Sequence, residues 1–427
     1  MRKESTEKKS DMSKETTGHR KGVLQDKTSS CGLIRIVLMF VVTVVIVLAV
    51  PGRTRAVDQM ANDQNISEEN VSDQTTSDQA EELLLDQFDF REVDRSLQEL
   101  FPQEKRSMEE ILRELMRGDL KPTGELVLGL IKEQMGYELT SHRKIWVELL
   151  VLILISAIFT NFSEAFQNRQ ISEVSFYILY LLMITICLQG FLITLDGVEE
   201  RLGDLTEFMK VLAPSYCMAI AFSTGAASSL AFYNLVLLII YVVNLVIVNL
   251  LLPMVHLFLM MKIMNYLTEE EYLTQFTELC RKLIGWILKI LVGAVAGINI
   301  IQGMLTPAMD SLNRTILGRG VEVIPGIGNV LGGMTDVALA SAVVIKNGIG
   351  MTGLIFCGVF SISPVVKMAA LTLLYKLLAA VVEPVSHQRI VGCVSSISEG
   401  YELLLKIMTS TGLLFMLTLA VLSATTS

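Results

Sequence analysis

From position 211 to position 261 the chain runs for 51 consecutive residues without Asp, Glu, Lys or Arg. Soluble domains, with roughly a quarter of their residues charged, do not sustain such a run. A membrane helix needs about 20 residues to cross a hydrocarbon core of roughly 30 Å, so this run is too long for two minimal spans and too short for three. Something irregular therefore lies inside it. Its first part, LAPSYCMAIAFSTGAASSLAF, is small and semi-polar, with Pro214 and Gly225 as candidate helix breaks; 233–261 is aliphatic, with Pro253 as a further candidate. The pattern predicts a re-entrant or broken helix followed by one long, kinked span.

Further candidate spans are 145–162, 174–195, 233–252, 283–303, 337–359, 364–383 and 403–423. The expected fold is all-α: a polytopic helical membrane protein with a short extracytoplasmic helical segment. Seven passes follow the N-terminal region, or eight if the semi-polar part crosses completely, and the few loop Lys and Arg do not choose between them. A second weakly apolar segment, VIPGIGNVLGGMT at 323–335, offers Pro325 and Gly328 as candidate breaks. Two such segments fit the broken helices of repeat-built transporters; close packing through small residues is the simpler account of them.

The polar residues are gathered elsewhere. Residues 58–144 hold 21 Asp and Glu against 10 Lys and Arg. Residues 1–35 carry nine Lys and Arg against five Asp and Glu and precede the 15-residue run IVLMFVVTVVIVLAV. That is the layout of a signal sequence, either cleaved near Ala56 or retained as an anchor, with the basic leader inside and the chain from residue 58 onward exported. The expected organisation is a basic leader with signal or anchor at 1–56 and an acidic disordered spacer at 57–80. An extracytoplasmic amphipathic segment at 81–144 and a multi-pass domain at 145–423 complete it. The segment 81–144 is small for an independent core, so its apolar faces are expected to rest on the membrane body or a partner.

Several function classes fall away. The acidic balance lacks the basic footprint of a nucleic-acid binder. Six scattered cysteines and four distant histidines match no disulfide framework or metal-ligand spacing. No phosphate-binding loop, zinc-protease motif or nucleophile elbow occurs, so neither cofactor nor catalysis is expected, and any energy source must be a gradient or another protein.

Charges inside spans are the remaining signal. Lys289, Lys346, Lys367 and Lys376 fall within apolar stretches, where an isolated charge costs about 2.5–3.5 kcal/mol at a helix centre. Lys367, three residues after Pro364 at an expected helix start, can snorkel to the headgroups. Lys346 and Lys376 sit deeper. Glu383 lies two turns beyond Lys376, too far to pair with it along one helix, and Asp336 is a candidate cross-helix partner. These lysines either pair between helices or line a polar path.

The stretch IPGIGNVLGGMTDVALASAVVIKNGIG, followed by SPVVKMAALTLLYKLLAAVVEPV, resembles the stage III sporulation protein AE family of endospore-forming bacteria. The resemblance runs from about residue 95 to 423, is most specific over 323–385 and less so over 143–195, and leaves the leader and spacer divergent. It implies a protein of the mother-cell membrane around the forespore, in a channel or secretion-like assembly joining the two compartments and needed after engulfment. The implied partners are the other stage III A proteins and stage II sporulation protein Q, besides the lipid bilayer. The resemblance brings no catalytic residues. Lys346, Asn347, Pro364, Lys367 and Lys376 are positions where it coincides with physically unusual residues. A self-contained secondary transporter for a small solute is the alternative.

Overall fold

The computed structural model describes residues 90–100, 107–116, 147, 151, 169–224, 226–267, 272–321, 328–384, 386 and 388–425. The leader, the spacer and nearly all of the expected 145–162 span lie outside these residues. Among the described residues every element is helical. Two short helices, α1 (Arg91–Leu100) and α2 (Met108–Met116), precede a bundle of long ones. These are α3 (Arg169–Thr224), α4 (Ala226–Val246), α5 (Leu252–Leu267), α6 (Thr274–Val321), α7 (Gly328–Val382) and α8 (Gln388–Thr425).

The chain is a multi-pass helical membrane protein, with five helical stretches among the described residues long and apolar enough to cross a bilayer. They are Tyr177–Ser223, Ser229–Tyr266, Thr274–Ile301, Ala340–Val382 and Gln388–Ser423. Of the seven expected spans, 145–162 lies almost wholly outside the described residues, and two others merge. The expected spans 337–359 and 364–383 are one helix, because Pro364 lies inside α7 and does not begin a new element. Proline removes one intrahelical hydrogen bond, but packing against neighbours offsets that loss in a membrane bundle. Here Pro364 is buried, and the residue whose carbonyl it orphans, Phe360, packs its ring 5.1 Å from that of Phe208 on α3.

The charge-free run resolves in the same terms. Pro214 does not break its helix either; it sits on the exposed side of α3, which continues to Thr224. The helical elements instead part between Thr224 and Ala226, on either side of Gly225, which is itself outside the described residues. The irregularity near Pro253 is a π-helical turn, Ile247–Leu251, joining α4 to α5 without a break. A proline two residues into α5 cannot donate to the ordinary ladder, and a π turn just before it absorbs the mismatch. Pro325 lies outside the described residues, and Gly328 is the first residue of α7.

The bundle is centred on the α7–α8 hairpin. α8 packs along α7 and also touches α3, α5 and α6, while α3 packs on α7 and α4. Small residues set the closest approaches. A β-carbon at Gly353 of α7 would lie 2.6 Å from Leu212 of α3, and one at Gly400 of α8 would lie 2.9 Å from the Phe191 ring. These pairings run α3 antiparallel to α7 and parallel to α8.

The short helices rest on this body, α1 against α3 and α2 against α7, which buries Phe90, Val93, Met108 and Leu112. Ser107 and Glu110 form a reciprocal capping box at the start of α2, at 3.2 and 3.4 Å. Asp94 of α1 accepts from the Met108 amide at 2.5 Å and so ties the two helices together. Burial, outweighing that hydrogen bond, holds the Asp94 carboxyl above its ordinary range. A raised carboxyl contributes stability that is present below the unfolded-state pKa and lost as pH rises through the folded one. The α1–α2 contact should therefore tighten, on this group's account, as pH falls through its folded titration toward the ordinary carboxylate range. Asp94→Asn keeps the acceptor and should abolish that dependence, as read by hydrogen exchange at the Met108 amide.

Candidate functional site

The strongest concentration of chemistry in the bundle is an ion network between four helices. Glu399, Glu402 and Lys406 lie three and four residues apart on α8, so they share one face. Lys262 reaches Glu399 from the end of α5. Arg281, near the start of α6, lies 3.2 Å from Glu399 and 4.0 Å from Glu402. Lys376, near the end of α7, is 3.3 Å from Glu402, and Lys406 is 2.9 Å from it. The Glu402 side chain is only 7% exposed, so it is the buried centre of the arrangement.

The placement follows from where the apolar stretches end. Lys262 immediately follows the charge-free run, and Arg281 and Lys282 immediately precede the apolar part of α6. Each helix therefore delivers its first cation at one level of the bundle, and α8 supplies the carboxylates to meet them. Lys289 is exposed on α6 about two turns deeper, close enough to that level to snorkel.

Beside the network, the rings of Tyr375 and Tyr401 meet at a tilt with centroids 5.2 Å apart, and the Phe191 ring of α3 lies 5.2 Å from that of Tyr401. The hydroxyls of Tyr401 and Thr194 share a hydrogen bond of 3.4 Å, and Ser398 donates to the Thr372 carbonyl at 3.2 Å. Polar side chains thus tie α3, α7 and α8 where the ion network ties α5 to α8.

The residues singled out in the sequence do not form one site. Lys376 joins the network, with Glu402 as the cross-helix partner that the sequence required and did not identify. Lys346 is wholly buried, but 30 residues of continuous α7 separate it from Lys376, about 45 Å of helix. One turn beyond Lys346, Gly350 abuts Ser423 of α8 and Tyr216 of α3. That register sets Lys346 near the C-terminal ends of α3 and α8, where terminal carbonyls and two negative dipole ends favour a cation. Asn347 follows it, with its Oδ1 buried and without a hydrogen bond.

Lys367 is half-buried within α7, and Glu383 is exposed in the turn after α7, well away from pairing with Lys376 along the chain. Asp336 lies in the first turns of α7. Sequence reasoning missed Lys262, Arg281, Glu399, Glu402 and Lys406. Their one signal was the pattern of cations at span ends with a Glu-x-x-Glu-x-x-x-Lys segment leading into the last span. Among the described residues no group of His, Cys, Asp and Glu is arranged to hold a metal ion.

This arrangement joins helices through paired charges. The family described as Stage III sporulation protein AE matches residues 106–426, which include the whole network and all five apolar helices. The chain belongs to that family. A protein of Bacillus subtilis (strain 168) named Stage III sporulation protein AE is 25% identical over 312 residues, covering 73% of this chain and 78% of that protein. No solved structure matches the chain. For this stage III AE family member, then, α2, the helical bundle and the ion network all lie within the matched region, while the leader and the acidic spacer precede it.

Proposed function

We propose that this protein is a membrane subunit of a channel or secretion-like complex that links the mother cell to the forespore, and that it acts after engulfment. Membership of a stage III sporulation family, over a region that holds all five membrane-long apolar helices, carries this reading. The protein works by assembly and passage, not by chemistry. In this reading it sits in the mother-cell membrane around the forespore, with residues 58–144 extracytoplasmic. Its partners are other stage III A membrane proteins and, across the gap, stage II sporulation protein Q.

Deletion of the gene should leave vegetative growth normal and arrest spore formation after engulfment. Purification of the tagged protein from sporulating cells should recover further membrane proteins. Normal spore yields from the deletion strain would sink the proposal.

A further inference from the structure

The exposed face of α3 is charged where its neighbours are apolar. Asp196, Glu199, Glu200, Arg201, Glu207 and Lys210 are exposed and Asp204 is half-buried. Their spacing of three and four residues puts all but Arg201, which reaches Asp204 from the edge, on one side of the helix, along about 21 Å. The opposite side buries Val198, Leu202, Leu205, Phe208, Met209 and Leu212 in the bundle. Two pairs form within the stripe, Arg201–Asp204 at 3.4 Å and Lys210–Glu207 at 3.6 Å. Five acidic and two basic groups leave it net negative.

Depth makes this stripe unusual. α3 and α4 pack as an antiparallel pair around Gly225, and Ser229 donates across the pair to the Cys217 carbonyl. Residues equally far from the junction face each other, so 196–210 lies level with roughly 240–254, the middle of the charge-free run. At that depth α4 and the π turn expose Tyr241, Leu245 and Leu250, and α6 exposes Trp286 and Ile290. The bundle therefore has two outer faces at one depth: an apolar one suited to lipid and an ionised one that lipid would not solvate.

Resting on the passage reading above, we propose that the α3 stripe lines a water-filled, cation-preferring lumen formed by several copies of this chain. Water is the occupant because net negative stripes pressed together dry would oppose like charges without a counter-cation. Copies arranged about a closed axis keep every stripe hydrated and turn the apolar faces outward. The excess of carboxylates raises the local concentration of cations over anions.

Single substitutions Glu200→Cys and Glu207→Cys, with Leu238→Cys and Leu245→Cys as exposed apolar controls at similar depth, test this in the full-length protein in native membranes. Wild-type protein supplies the background from its own cysteines. The stripe cysteines should react with a charged methanethiosulfonate at least about tenfold faster than the controls, and faster with the cationic reagent than with the anionic one. A flexible bismaleimide should then join the stripe variants into dimers and higher species. Stripe cysteines as slow as the controls, or crosslinks only to a different polypeptide, overturn the proposal. A protected stripe in a protein whose deletion still arrests sporulation would remove the lumen alone; a reactive, self-crosslinked stripe in a dispensable protein would remove the sporulation role alone.

Discussion

Glu402→Gln should destabilise the bundle by about 3–5 kcal/mol, the cost of removing one partner from a buried ion pair. The substitution preserves volume and hydrogen-bonding capacity, so the loss reads charge alone. Lys376 and Lys406 would lose their only carboxylate shown in the network, while Arg281 would retain Glu399. A marked fall in the aggregation temperature of the detergent-solubilised protein, and in its steady-state amount in membranes, is the expected result. Glu399→Gln should cost less, because its side chain is 23% exposed and water can take over part of the work. Glu402→Leu combined with Lys376→Met should recover part of the loss, since an apolar pair of similar volume leaves fewer uncompensated charges. Wild-type stability in Glu402→Gln would mean that the network is ornamental to folding.

The second large effect is steric. The ring of Tyr266, at the end of α5, presses on Gly392 in the first turns of α8, with its Cζ and Cδ1 2.7 and 2.8 Å from where a β-carbon would stand. A ring has no flexible end to swing aside, so Gly392→Val must push the two helices apart, at a cost of about 1–3 kcal/mol or more. The displacement would also draw Lys262, one turn before Tyr266, away from Glu399. Gly392→Val should therefore lower membrane abundance and spore yield together, and Tyr266→Ala in the same chain should restore both in part. An equally impaired double variant would count against the contact.

These two sites show what could be read from residues in a row and what could not. The apolar runs announced membrane helices because hydropathy is a local property, and the irregularity in 211–261 was visible because its length matches no whole number of spans. The fate of each proline was not visible. Pro214 and Pro364 both stay within helices, whereas Pro253 follows a π turn. Proline's cost is fixed locally, but its compensation comes from neighbouring helices. The ion network failed to appear for a related reason. Lys376 and Glu402 are 26 residues apart and Arg281 and Glu399 are 118 apart, distances at which sequence spacing carries no register. Lys376 could be recognised as needing a partner; only the hairpin could supply it. Lys346 and Lys376 looked alike on paper and stand 30 residues apart on one helix, in different surroundings.

The uneven burial of the long helices bears on how the protein is made. In α7 and α8 the most apolar windows are 72% and 67% buried, against 28% in α6. The hairpin that α2, α3, α5 and α6 lean on is thus synthesised after α3 to α6. Until it is inserted, α3 to α6 must wait in the bilayer with their inner faces uncovered and their cations at the network level lacking Glu399 and Glu402. Synthesis passes through an interval in which an unfinished chain is a natural target for membrane proteases and insertion chaperones. A chain that stops short of position 388 would remain in that state permanently.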